Sequence, residues 1–424
     1  MIEIKSNNMK PRCDITVPGS KSFTHRMLIA SALSNGRCLI DNALLSEDTL
    51  LTLKALRQMG IRIEETSDHQ LAVYGGSGKF EPSPEPLYLG NSGTSIRLLT
   101  AICALGKNPY TLMGNERMAE RPIQALIDAL RQIGVKARST NDNGCPPVEV
   151  NGRHLSGSTV SINCRTSSQY LTGLLLMAPR TERGLKIRVT DGPVSRPYVD
   201  MTIQVMAAFG IEIDRQGYQD FQVAGRQTYR SGIYTVEADA SQAGYFWAAA
   251  AICHKTVKVN GVRQESCQGD IKFSKVLESM GCAVKNEPDG ITVIGGDRLQ
   301  ALEVDMGDMP DMVPTLAAVA AFAQGTTVIT NVSHLKAKES DRLSAVANEL
   351  KKMGITAHCT ADELTVEGGQ PRGADIETYG DHRIAMSFAV AGLAASGMVI
   401  KDAHCVEKSF PNFWEVFEGM YTEG

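Results

Sequence analysis

Aromatic residues make up only 6% of this 424-residue chain, and two of them are tryptophan. No apolar run is long and unbroken enough to span a bilayer, so no membrane partner is expected. The opening residues, Met1-Ile-Glu-Ile-Lys-Ser, have neither the apolar centre of a signal peptide nor an Arg/Ser-rich transit composition. Ten cysteines are present, but none forms a CxxC pair or a Cys/His cluster at ligand spacing. That argues against structural zinc and a disulfide scaffold, and for a reducing, cytoplasmic setting. Basic excess is absent too: 43 Lys and Arg stand against 47 Asp and Glu, for a net charge of -4. A general nucleic-acid binder is thereby excluded, and any anion chemistry must come from local clusters. Gly90-Asn-Ser-Gly-Thr is glycine-rich but lacks the Gly-Lys-Ser/Thr ending of a P-loop, and no HExxH, GxSxG or EF-hand loop occurs.

What the chain does have is length and a repeat. Hydrophobic residues at 43% and charged residues at 21% are the balance of a globular protein, and 424 residues exceed one ordinary core. A helix ending in apolar-Gly-apolar recurs with a period of about seventy residues. The instances are Leu-Arg-Gln-Met-Gly60, Leu-Arg-Gln-Ile-Gly134, Met-Ala-Ala-Phe-Gly210, Leu-Glu-Ser-Met-Gly281 and Leu-Lys-Lys-Met-Gly354. Glycine there takes the left-handed C-terminal cap without steric cost. A short β-branched strand closing in glycine follows each, as in Leu71-Ala-Val-Tyr-Gly and Leu364-Thr-Val-Glu-Gly.

Each unit also carries a polar turn, then a helix apolar nearly all round, such as Tyr245-Phe-Trp-Ala-Ala-Ala-Ala-Ile, which predicts burial. Six such turns precede only five complete helix–Gly–strand tails. The last helix, Asn412–Gly419, reaches the end of the sequence without its strands, and Ile2-Glu-Ile could supply one. The pattern therefore favours two closed domains over an open six-unit solenoid.

The turns place polar side chains at helix N-termini, where unpaired N–H groups and the macrodipole favour anions. Taken singly, Ser167 and Asp239 read as plain caps, Lys338–Arg342 as a solvated helix face, and His382 as a core histidine. Taken together, Lys21, Arg26, Arg121, Arg342, Arg383 and Lys408 recur at the same phases of the repeat. Such a set suits a small ligand with several negative groups.

Eight segments, in order, resemble one family. They are Val17-Pro-Gly-Ser-Lys21-Ser22-x3-Arg26, Leu89-Gly-Asn-Ser-Gly-Thr-Ser-Ile-Arg97, Glu120-Arg121-Pro122-Ile, Ser167-Ser168-Gln169-Tyr-Leu-Thr, Pro193-Val-Ser195-Arg-Pro-Tyr198, Met309-Pro-Asp311, Lys336-Ala-Lys338-Glu339-Ser-Asp-Arg342-Leu and Asp381-His382-Arg383-x-Ala-Met. On these segments the chain resembles the 5-enolpyruvylshikimate-3-phosphate synthases, within the enolpyruvyl transferases.

The resemblance implies an α/β fold: a two-domain inside-out α/β barrel, each domain built of three βαβαββ-type repeats with buried helices and outer sheets. It implies one domain from residues 1–17 plus 235–424 and a second from 18–234, with the active site in the cleft between them. It further implies transfer of the enolpyruvyl group of phosphoenolpyruvate to the 5-hydroxyl of shikimate-3-phosphate. Shikimate-3-phosphate would meet Lys21, Ser22, Arg26, Ser167, Ser168, Gln169, Ser195, Tyr198, Asp311, His334 and Lys338. Phosphoenolpyruvate would meet Lys21, Gly93, Arg121, Gln169, Arg342, Arg383 and Lys408. Asp311 is expected as the base, Glu339 as the proton donor and Lys21 as a stabiliser of developing charge. His334 stands where relatives have Asn, and Gly93 favours sensitivity to the inhibitor glyphosate. No metal or cofactor is implied, and a monomer is expected. A UDP-N-acetylglucosamine enolpyruvyl transferase would show Gly-Ala-Lys-Asn and a reactive Cys before the Arg-Pro helix. Here Gly19-Ser-Lys-Ser and the Cys-free stretch Gly114–Arg121 stand instead. A non-enzymatic repeat scaffold that binds anions is the other alternative.

Overall fold

The computed structural model describes residues 1–152 and 155–422. The chain divides into two compact units: a terminal unit of Met1–Pro18 with Ala238–Gly424, and a central unit of Gly19–Glu237. Each crossing between them falls between a strand and a helix. The strand Ile233–Thr235 thus pairs in parallel with Arg37–Asp41 inside the central unit. Arg12–Thr16 pairs in parallel with Thr256–Asn260 inside the terminal unit.

The central unit carries three four-stranded sheets. One runs Ile233–Thr235, Arg37–Asp41, Gln70–Tyr74, Arg62–Ser67, and the second Leu87–Tyr88, Tyr110–Met113, Val148–Asn151, Lys136–Ser139. The third runs Thr159–Asn163, Leu185–Asp191, Asp220–Val223, Asp214–Gln216. In each, the first pair is parallel and the others antiparallel. A parallel pair needs a crossover, and a helix supplies it in the second and third sheets, while Ile233–Thr235 comes back to Arg37–Asp41 from the far end of the unit.

The terminal unit repeats the plan twice, around Thr256–Asn260 and around Thr326–Thr330. Its third sheet has three strands, and the N-terminal Ile2–Glu3 lies antiparallel to Val399–Ile400, with Ile2 opposite Ile400. The strand lacking from the last repeat is thus provided by the other end of the chain, and the solenoid alternative falls.

Strand residues alternate between exposed and buried, as in Arg12–Thr16 and Thr159–Asn163, so each sheet has one wet face. The crossover helices have none. Ala240–Cys253 is buried from Ala240 to Ile252, and every residue of Val313–Ala320 and His382–Gly392 is buried. Helices inside and sheets outside is the resulting order within each unit. The helix-ending glycines Gly60, Gly134, Gly210, Gly281 and Gly354 all have φ between 79° and 106°, the left-handed region. The strand-ending glycines have another cause. A Cβ at Gly152 or Gly368 would lie 1.7 or 1.9 Å from the carbonyl oxygen of Ala104 or Ala323, beside the end of a buried helix. Among the described residues no helix is long and apolar enough to cross a membrane.

Candidate active site

In the terminal unit, three helix starts bring their charged side chains together. Arg342 opens the helix Arg342–Lys352, Arg383 sits in the first turn of His382–Gly392, and Asp311 lies in the 3-10 turn Pro310–Met312. Arg342 is 1% exposed and meets three carboxylates. Its Nε donates to Asp381 Oδ2 at 2.8 Å, one terminal nitrogen to Asp311 Oδ1 at 2.9 Å, and the other to Glu339 Oε2 at 2.9 Å. Arg383 donates to the second Asp311 oxygen at 2.7 Å and to the Tyr245 hydroxyl at 3.2 Å.

The surroundings set the charge states of Asp311, Arg342 and Tyr245. Burial raises the Asp311 carboxyl, but Arg383, Lys338 and Arg342 outweigh it and hold the group well below the usual carboxylate range. Burial likewise works against the Arg342 charge, and Asp381, Glu339 and Asp311 more than offset it. Burial pushes the Tyr245 phenol up to about 12 against the pull of Arg383, so it stays a neutral hydroxyl. His334 is 4% exposed, and neither ring nitrogen has a hydrogen-bond partner among the described residues. Burial, then the Lys338 charge, lower its ring to about 3, so it is a neutral imidazole. Lys408 is buried as well, at the end of the 3-10 turn Ala403–Lys408.

The solvated-face reading of Lys338–Arg342 therefore fails for Arg342. His382 is fully buried, as expected of a core histidine. Asp239 does serve as a cap, accepting from the Gln242 N–H at 3.1 Å.

In the central unit, Lys21 opens the helix Lys21–Leu33 and pairs with the buried Asp48 at 3.0 Å. Arg26, one turn on, bonds Thr202 Oγ1 at 2.9 Å and the carbonyls of Ser22 and Tyr198 at 2.8 and 2.9 Å. It thereby fastens the Ser195–Tyr198 corner to the first helix. Ser195 is buried there with φ 54°, a left-handed conformation uncommon outside glycine. Ser167 and Ser168 precede the helix Gln169–Met177, and Ser167 Oγ accepts the Gln169 N–H at 3.2 Å. The Gln169 amide is fixed at both ends, accepting from Arg97 at 2.8 Å and donating to Thr94 at 2.9 Å. Arg121 is 3% exposed and donates to the Asn91 carbonyl and side chain, each at 2.9 Å. Gly93 makes room for it: a Cβ there would lie 2.4 Å from an Arg121 terminal nitrogen.

Two sets of buried or half-buried cations near helix starts, one per unit, are the geometry to which a known family can be compared. The family model described as EPSP synthase (3-phosphoshikimate 1-carboxyvinyltransferase) matches residues 8–417. The chain belongs to that family. A 3-phosphoshikimate 1-carboxyvinyltransferase of Methanoculleus marisnigri is 44% identical over 408 residues, covering 96% of each chain. One from Nostoc punctiforme is 40% identical over 424 residues, covering 100% of this chain and 99% of its own. Among solved structures, the EPSP synthase of Acinetobacter baumannii aligns with a TM-score of 0.82 at 30% identity, covering 99% of this chain and 97% of that one. The enolpyruvyl transferase NikO of Streptomyces tendae shares the fold, with a TM-score of 0.79 at 20% identity, covering 98% and 96%. The two-domain inside-out α/β architecture is thus the EPSP synthase fold.

Several residues that shape this EPSP synthase site escaped the candidate set. Asp381, 0% exposed, caps the helix His382–Gly392 and fixes Arg342 through two bonds, at 2.8 and 3.2 Å. Its place in the Gly380-Asp-His-Arg turn was the available signal. Asp48 and Arg97 act as partners of Lys21 and Gln169 across 27 and 72 residues of sequence; Arg97 closes the Gly-Asn-Ser-Gly-Thr segment, whereas no local pattern marks Asp48.

Proposed function

We propose that the terminal-unit and central-unit groups serve one reaction, addition followed by elimination on phosphoenolpyruvate. The chain is a transferase of the shikimate pathway: it moves the enolpyruvyl group of phosphoenolpyruvate to the 5-hydroxyl of shikimate-3-phosphate and releases phosphate, towards chorismate and the aromatic amino acids. The methylene carbon takes a proton and the 5-hydroxyl oxygen attacks the neighbouring carbon. The resulting tetrahedral intermediate then expels phosphate, and the methyl group gives a proton back to restore the double bond.

Asp311 accepts the hydroxyl proton. It is ionised, partly accessible at 17%, and gripped by two arginines that fix its direction. Glu339 supplies the proton to carbon. Its present pairing with Arg342 favours the carboxylate, so the role requires Arg342 to turn towards an incoming anion. Phosphoenolpyruvate supplies that anion, and the arginine forks of Arg121, Arg342 and Arg383 suit its carboxylate and phosphate oxygens. Lys21 and Lys408 add charge, and Lys21 stabilises the developing negative centre. Shikimate-3-phosphate takes the hydroxyl-rich side: Ser22, Ser167, Ser168, Ser195, Tyr198 and Gln169, with Lys338. The neutral His334 ring, without a hydrogen-bond partner among the described residues, can accept or donate a ring-hydroxyl hydrogen bond. Arg26 contributes by holding the Ser195–Tyr198 corner in place, through its bonds to Thr202 and to the Ser22 and Tyr198 carbonyls. The protein is proposed to act as a cytoplasmic monomer.

One observation carries the mechanism: a half-buried Asp311 carboxyl is bonded by both Arg342 and Arg383. The test is phosphate release. Phosphoenolpyruvate with shikimate-3-phosphate is expected to give stoichiometric phosphate, and phosphoenolpyruvate with UDP-N-acetylglucosamine none. Binding without release would point instead to an anion-binding scaffold. Gly93→Ala adds a second check. Its methyl group must push the Arg121 guanidinium aside, so the KM for phosphoenolpyruvate should rise about tenfold, roughly 1.4 kcal/mol. The KM for shikimate-3-phosphate should stay within about twofold, and steady-state kinetics would separate the two.

A further inference from the structure

Of the buried carboxyl groups that the mechanism leaves unused in the terminal unit, Asp270 alone has a buried oxygen without a hydrogen-bond partner among the described residues. Asp270 lies in the 3-10 turn Gly269–Lys272 and is 3% exposed. The Ser241 hydroxyl bonds its Oδ2, while Oδ1 is buried with no hydrogen-bond partner among the described residues. Gln268 ties the same turn to the start of the helix Ala240–Cys253. Its Oε1 accepts from the Ala240 N–H at 3.1 Å, and its Nε2 donates to the Ala238 carbonyl at 2.8 Å. One turn beyond Ser241 on that helix, Tyr245 accepts from Arg383. The charged groups facing Asp270 are Asp239 at the cap of that helix, Asp311 in Pro310–Met312 and Arg383 in His382–Gly392. An Asp270 carboxylate would have one neutral donor, one unsatisfied oxygen and two like-charged neighbours, each of which is costly in a buried place. The neutral acid keeps its bond with Ser241 and escapes the like-charge repulsion.

We propose that Asp270 is a positioning residue for Arg383: as the neutral acid it leaves the guanidinium to Asp311 and the anionic substrate, and as a carboxylate it competes for it. The proposal rests on Arg383 being a phosphoenolpyruvate ligand. Burial, then Asp311, raise the Asp270 carboxyl to about 7, against Arg383 and the Ser241 bond, so the change of state falls near neutral pH. That value lies above the one for an unfolded aspartate. The folded protein therefore loses stability as pH rises to and through about 7, and a permanently neutral side chain does not.

Asp270→Asn keeps the shape and removes the titration. With the full-length protein, KM for each substrate is measured at pH 6 and pH 8, and thermal unfolding is followed from pH 5 to 8. Titration of phosphoenolpyruvate itself is common to both proteins and cancels in the ratio of variant to wild type. The wild-type KM for phosphoenolpyruvate should rise about tenfold more than that of the variant over this range, as one added charge near Arg383 implies. The ratio for shikimate-3-phosphate should change less than about twofold, since Arg383 serves the other substrate. The melting-temperature gap, variant minus wild type, should widen as pH rises. Should Asp270→Asn fail to fold, Ser241→Ala replaces it. Loss of the hydroxyl donor must then shift the phosphoenolpyruvate pH dependence to higher pH. Flat KM ratios together with a flat melting gap, or an unshifted Ser241→Ala profile, would overturn the proposal. A wild-type protein that turns over no substrate would instead sink the functional reading, while the melting comparison still decides the state of Asp270.

Discussion

Asp311→Asn should lower kcat about a thousandfold while phosphoenolpyruvate binds as well as before or better, because the two effects of one carboxylate are separable. As the base, Asp311 must take the proton of the attacking hydroxyl, and an amide cannot. As an anion, it occupies Arg342 at 2.9 Å and Arg383 at 2.7 Å, and its neutral replacement releases both. An incoming anion then meets less competition. Rapid-quench measurement of the chemical step, with substrate binding followed separately, reads both halves. A kcat within about tenfold of wild type would exclude Asp311 as the base. The pH behaviour provides an independent check. The Asp311 carboxyl is held below its ordinary range by Arg383, Lys338 and Arg342, so it stabilises the fold above the unfolded aspartate value. That contribution fades as pH falls below about 4, and the stability gap between wild type and Asp311→Asn should narrow there.

Arg342→Lys should be nearly as damaging, with kcat/KM for phosphoenolpyruvate reduced about a thousandfold. A single ammonium cannot reach Asp381, Glu339 and Asp311 at once, whereas the planar fork does so from three nitrogens. Arg342→Ala would leave three carboxylates in a buried place with one cation fewer. It should cost about 3–5 kcal/mol of stability as well, the usual penalty for breaking a buried pair. The contrast is informative. If Arg342→Lys kept normal kcat/KM, the guanidinium geometry would be irrelevant, and a point charge would suffice for the anion. If Arg342→Ala melted like wild type, the three-carboxylate cluster could not be the anchor of this helix start. Calorimetric unfolding beside initial-rate kinetics separates these outcomes.

The architecture was legible because it is written in short-range terms. Left-handed glycines at Gly60, Gly134, Gly210, Gly281 and Gly354 mark helix ends by sterics alone. The all-apolar stretch Tyr245–Ile252 can only be an interior helix. A missing last strand, with a spare one at the N-terminus, is a counting argument, and Ile2–Glu3 beside Val399–Ile400 bears it out. The glycines at strand ends were legible as positions but not as causes, since their need is a carbonyl from a helix end more than forty residues away, as at Gly152 and Ala104.

Periodicity, caps and charge type determined the repeat, the buried helices and the residue types at each helix start, because each depends on neighbours a few positions apart, while the fold class came with the family resemblance. Tertiary structure decided which of those side chains keep their charge, and for whom. Arg342 is enclosed by Asp311, Glu339 and Asp381, Arg26 is turned to Thr202 and Tyr198, and Asp270 is stranded with an unsatisfied oxygen. Those outcomes depend on burial and on partners remote in sequence. Desolvation and Coulomb energy act through space, and no spacing rule along the chain carries them.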